Sequence, residues 1–166
     1  MSRALTLVAL AACTACTPGS FAAPNGGAPG PAPSGASSVT IDANVNSDPG
    51  GTVSAGGAAG YNPLTTTVSV GSLIRFTNSD STGFNHTATS IPGTSFPSSY
   101  PTNFGAGALT YNGTATAPPT LSGGFTTGDL SPGSTSGPIL ADKSGTYIFG
   151  CFFHYLHPMR AEIVVK

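Results

Sequence analysis

The chain has 166 residues, enough for one domain with additional segments. Only 7% of its residues are charged and the formal net charge is −1, which excludes the basic patch that a nucleic-acid-binding protein needs. No stretch sustains a helical period. Instead Val, Ile, Thr and Phe fall in short runs bounded by turn residues, which predicts an all-β domain with long loops.

Residues 1–12 have a short basic start at Arg3 and an apolar run too brief to span a bilayer. They have the pattern of a signal peptide. Leu10–Cys13 reads LAAC and resembles a bacterial lipoprotein signal, in which Cys13 becomes the acylated first residue. Lipidation at Cys13 is the favoured reading over cleavage after Ala22 or Ala23, because the apolar run stops at Cys13. Acylation would anchor the chain to a membrane surface without spanning it. Both readings export the protein to the periplasmic or extracellular side. Residues 13–37 form a tether, rich in Pro, Gly, Ala and Ser from 17 onward, which cannot bury a core.

The folded domain is expected over 38–166. Val39, Ile41, Ala43 and Val45 alternate with Thr40, Asp42 and Asn44, as a half-buried strand requires. A Gly-rich loop occupies 49–60. In 61–78, Val68 and Val70 share one parity, Gly71-Ser72 makes a turn, and Ile74 and Phe76 share the next. A polar loop, 80–84, leads to His86. Residues 92–122 are rich in Pro, Gly, Ser and Thr. Tyr100, Phe104 and Tyr111 suggest some packing there, but an inert surface loop is the expectation. Ile139-Leu140 and the turn at 143–146 lead to the last twenty residues, YIFGCFFHYLHPMRAEIVVK. These read as strand, loop, strand, with Tyr147, Phe149 and Cys151 on one side of the first and Ile163 and Val165 on one side of the second.

The loop between those strands holds Cys151, His154, His157 and Met159 within nine positions. A thiol, imidazoles and a thioether are the soft and borderline ligands that copper selects. Taken singly, each has an ordinary explanation: a buried Cys or Met is usually a small or flexible hydrophobe. Together they point to a metal. His86 is the one histidine outside the loop. Cys13 and Cys16 lie beside the export signal, and a Cys16–Cys151 disulfide is disfavoured because it would tie a flexible tail to the loop.

The order Cys151, two residues, His154, four residues, Met159, with His86 after the Thr-Asn end of a strand and a polar loop, resembles the plastocyanin-like cupredoxins. The resemblance covers most of 38–166 and leaves 92–122 unmatched as a long insertion. It implies a Greek-key β-sandwich holding one copper ion on His86, Cys151, His154 and Met159. It also implies a one-electron carrier, expected to be monomeric, that meets a redox protein near the His154 loop. Four ligands leave no open position for a substrate, so the chain is not expected to be an enzyme. His157-Pro158-Met159 also resembles a shortened His-Pro-x-Met ending; His154 is preferred as the ligand, with His157 beside the site.

Asn85 and Thr87 are the expected braces for His86, and Arg160 is expected to point outward into solvent. Phe152, Phe153, Tyr155, Leu156 and Pro158 make the loop apolar enough to form a docking patch. Two other functions use the same residues. One is copper delivery or sequestration. The other is a structural zinc site of His86, Cys151, His154 and His157.

Overall fold

The computed structural model describes residues 37–44, 53 and 56–166. The expected signal peptide, the Cys13 lipidation site, the tether up to residue 36, Val45 and most of the Gly-rich loop lie outside the described residues. Eight strands are present among the described residues: β1 (Ser38–Ala43), β2 (Tyr61–Asn62), β3 (Thr65–Val68), β4 (Leu73–Asn78), β5 (Thr89–Ser90), β6 (Ile139–Leu140), β7 (Gly145–Gly150) and β8 (Arg160–Val165). A single 3-10 turn, Ala106–Leu109, is the only helical piece among the described residues.

The strands form two mixed four-stranded sheets, ordered β2-β1-β4-β6 and β3-β8-β7-β5. In the first, β1 runs parallel to β4 with Val39 opposite Ile74 and Ile41 opposite Phe76. In the second, β8 is parallel to β3 and antiparallel to β7. The period-two pattern decides which face is buried: Ile41, Ala43, Ile74 and Phe76 from one sheet meet Val68, Phe149, Ile163 and Val165 from the other in one core cluster. The all-β sandwich read from the sequence is therefore the fold. Aromatic rings close its centre: Phe149 meets Tyr61 at 4.9 Å and Phe76 at 5.1 Å between centroids, both edge to face. Burying each large side chain of this kind is worth about 1.5–3 kcal/mol.

Two expectations are corrected. Val70 does not continue the buried face of Val68; β3 ends at Val68 and Val70 is 52% exposed. The chain turns there because Gly71 takes a left-handed conformation, φ 89°, which swings it across to β4 in the other sheet. The insertion is not inert either. Phe104 from it joins Ile91, Ile148 and Tyr155 in a second apolar cluster, with Phe96 and Phe152 packed against it. Strand β7 is thus buried on both faces, Phe149 toward the sandwich core and Ile148 toward the insertion. The insertion covers the outer face of the strand that delivers Cys151.

Candidate metal centre

The site lies where β7 runs out. Cys151 follows the last residue of β7, and its backbone N–H donates to the Met159 carbonyl at 3.0 Å, closing the loop against the start of β8. Inside that closure the His154 carbonyl accepts from the N–H groups of His157, at 2.9 Å, and Met159, at 3.1 Å. The loop is therefore a tight hydrogen-bonded unit. Met159 is fully buried in the same core cluster as Cys151. It lies against Gly60, whose φ of 76° and lack of a side chain leave room: a Cβ there would fall 2.5 Å from Met159 Cγ.

His86 arrives from the segment between β4 and β5. Its N–H and C=O exchange hydrogen bonds with Leu130, at 3.0 and 2.8 Å, which fixes the backbone. The ring is fully buried and its Nε2 lies 2.9 Å from Asp80 Oδ2. Thr87, the next residue, holds the sulfur: its N–H points at Cys151 Sγ at 3.4 Å, and its Oγ1 accepts from Phe152 N–H at 2.8 Å. Tyr61 holds Thr87 in turn, its hydroxyl donating to the Thr87 carbonyl at 2.5 Å.

Three donor atoms converge. His86 Nδ1 and His154 Nδ1 are 3.2 Å apart, and Cys151 Sγ is 3.9 Å from the first and 3.7 Å from the second. A triangle with these sides has one interior point about 2.1 Å from all three corners, against metal–imidazole bonds of about 2.0–2.1 Å and metal–thiolate bonds of about 2.3 Å. One metal ion fits that point. The same three residues are the only His, Cys, Asp or Glu group among the described residues able to hold a metal.

The electrostatics agree. Burial pushes the Cys151 thiol up, and hydrogen bonds from Thr87, His154 and Phe153 only partly offset it. A buried thiolate needs a cation, and a metal supplies one. His154 is held below the usual imidazole range, by burial first and then by the neighbouring His86 and His157, so its ring is neutral and its lone pair available. For Asp80 burial opposes the charge, but hydrogen bonds from Thr82 and His86 outweigh it and hold the carboxyl at about 2.

Other expected residues take different places. His157 is exposed and outside the converging group, its ring 6.5 Å from that of His154. Asn85 does not brace His86; it is exposed and donates to Asp129 at 2.9 Å. Thr87 braces the sulfur instead, and Asp80 is the residue on the His86 ring. Only its Asp-x-Thr turn, six residues upstream, marked it in the sequence. Arg160 does not point out into solvent. Its guanidinium lies 4.9 Å from the Tyr155 ring centroid and 5.4 Å from that of Phe96, half-buried between loop and insertion. Tyr155 is fully buried and donates its hydroxyl to the Pro97 carbonyl at 2.8 Å. What stays outside is Phe84, Phe153 and Leu156, at 52, 40 and 62% exposed, around the half-buried His154.

No family model matches the chain, and no curated relative does. Among solved structures it is similar to auracyanin A, a blue copper protein of Chloroflexus aurantiacus, at 20% identity and a TM-score of 0.47, over 78% of this chain and 99% of that one. It is similar to a reduced auracyanin of Roseiflexus castenholzii at 20% identity and a TM-score of 0.45, over 80% and 99%. A purple cupredoxin of Nitrosopumilus maritimus matches at 19% identity and a TM-score of 0.43, over 77% and 99%. With identities this low and TM-scores below 0.5, it is the donor atoms, not the likeness, that bear on what this site holds.

Proposed function

We propose that this chain is a mononuclear copper protein that carries one electron at a time, on the outer side of the cell membrane, anchored through lipidated Cys13. His86, Cys151 and His154 would hold the ion, with the Met159 thioether as a weaker fourth donor. The observation that carries this reading is the convergence of one thiol and two imidazoles on a single point. Thiolate with two imidazoles and a thioether is the donor set of electron-transfer copper. Copper bound there would alternate between Cu(I) and Cu(II), taking up and releasing one electron. The chain's own part is rigidity: two sheets, the Leu130 bridge to His86 and the closed 151–159 loop hold the donors in place, so a change of charge need not move them. The site is a poor delivery site for the same reason. The zinc reading loses its fourth ligand, because His157 lies outside the group.

Partners would approach over His154, the one donor ring that is only half-buried, across Phe84, Phe153 and Leu156. Small apolar contacts of this kind suit a brief electron-transfer encounter. No redox enzyme activity is assigned, and the chain is read as a monomer. The test is to add one equivalent of Cu(II) and cycle the protein with reductant and oxidant, then measure electron self-exchange at low and raised ionic strength. An intense visible band that bleaches and returns is expected, with an exchange rate that varies by less than about threefold with salt, since exposed charge is what salt screens. A colourless protein that takes zinc and leaves Cu(II) unreduced would overturn the reading. A steep ionic-strength effect would move the docking face elsewhere.

A further inference from the structure

The Asp80–His86 pair is an uncommon use of a charge in a chain that has so few. Both side chains are fully buried, with Nε2 and Oδ2 2.9 Å apart. The carboxylate is itself immobilised: its other oxygen, Oδ1, accepts from the Thr82 backbone N–H at 2.7 Å and from the Thr82 hydroxyl. Its backbone N–H donates to Asn78 Oδ1 at 2.9 Å. Asn78, the last residue of β4, is tied down by its own amide, which donates to the carbonyls of Phe84 and Leu130 at 2.9 and 2.8 Å. Leu130 is the residue that fixes the His86 backbone. The sheet therefore sets the position of both the ring and the carboxylate.

A carboxylate only accepts hydrogen bonds, so the neutral His86 ring must carry its proton on Nε2. That leaves the Nδ1 lone pair facing Cys151 and His154. Resting on the copper reading above, we propose that Asp80 is a positioning residue: it selects the His86 tautomer whose Nδ1 is ready for the metal, and its negative charge, one ring away, favours Cu(II) over Cu(I). Partners of this kind on a metal-bound histidine are worth 10–100-fold in metal affinity.

The test uses Asp80→Asn, Asp80→Ala and Thr82→Ala. Asparagine carries no charge, and its single carbonyl oxygen cannot accept from both Nε2–H and the Thr82 N–H as the two carboxylate oxygens do. Thr82 is exposed, so its loss loosens the carboxylate with little threat to the fold. Nitrogen-15 NMR of the metal-free protein, at mildly alkaline pH, should show His86 protonated on Nε2 in the wild type. Mixed tautomers are expected in Asp80→Ala and Asp80→Asn, and a smaller admixture in Thr82→Ala. In the copper-loaded protein, Asp80→Asn should lower the ratio of Cu(II) to Cu(I) affinity about tenfold, a rise of about 59 mV in potential for one electron. A wild-type His86 protonated on Nδ1, or an Asp80→Asn potential equal to that of the wild type, overturns the proposal. If the wild type takes up no copper, the copper reading fails, and the tautomer measurement alone judges the positioning role.

Discussion

Replacing Cys151 by Ser should remove the intense visible absorption of the copper-loaded protein entirely and weaken copper binding by at least about 100-fold. That bound follows because even partners one shell removed from a metal are worth 10–100-fold, and Cys151 supplies the thiolate itself. The fold should survive. A hydroxyl can accept from Thr87 N–H where the sulfur now does, and the metal-free protein should change in stability by only about 1 kcal/mol. Optical titration with Cu(II), beside a denaturant melt of the metal-free variant, separates the two effects. An unaltered band in Cys151→Ser would overturn the assignment of Cys151 to the metal.

The second large effect is expected at Gly60. Alanine there meets two penalties at once. Its φ of 76° lies in the left-handed region, which costs a residue with a Cβ about 1–2 kcal/mol. The new Cβ also falls 2.5 Å from Cγ and 3.0 Å from Cβ of Met159, so the thioether has to move; overpacking of this kind typically costs 1–3 kcal/mol. Gly60→Ala should therefore lose about 2–5 kcal/mol against denaturant, and the spectrum of its bound copper should shift with the displaced Met159. A variant with wild-type stability and an unchanged spectrum would show that Met159 is neither confined by Gly60 nor near the ion. The position matters because Ala59 forms a backbone bridge with Met159 and its neighbour Arg160, so the loop before β2 and the start of β8 share one seam.

Much of the sandwich was legible because its signal is local. Alternation at Ile41 and Ala43, at Ile74 and Phe76, and at Ile163 and Val165 follows from the strand period alone, and the structure buries each of these residues. The loop donors were legible for a different reason: Cys151, His154 and Met159 are close in sequence, and their chemistry is rare in one short segment. The structure brings His154 to Cys151 and His86 and leaves His157 out, a choice that spacing alone left open.

What failed to read out was tertiary. Asn85 and Thr87 were the natural braces for His86 because they are its chain neighbours. In a strand-like segment, however, neighbours point away from each other, and Asn85 ends up on the surface. The actual partner, Asp80, reaches the ring only because Asn78 and Thr82 fold the intervening turn back onto it. The insertion carries no period to read, so although Phe104 hinted at packing, nothing local showed that Phe96, Pro97 and Phe104 would close over Tyr155 and Ile148. Arg160 was misplaced for the same reason, since the rings that stack on it come from the metal loop and from the insertion.

The most direct test of the central claim is X-ray absorption at the copper edge on the protein loaded with one equivalent. The donor triangle predicts one sulfur and two imidazole nitrogens in the first shell, all within about 2.0–2.3 Å, and the same set after reduction. A first shell of nitrogen and oxygen alone, with no sulfur at bonding distance, would contradict it.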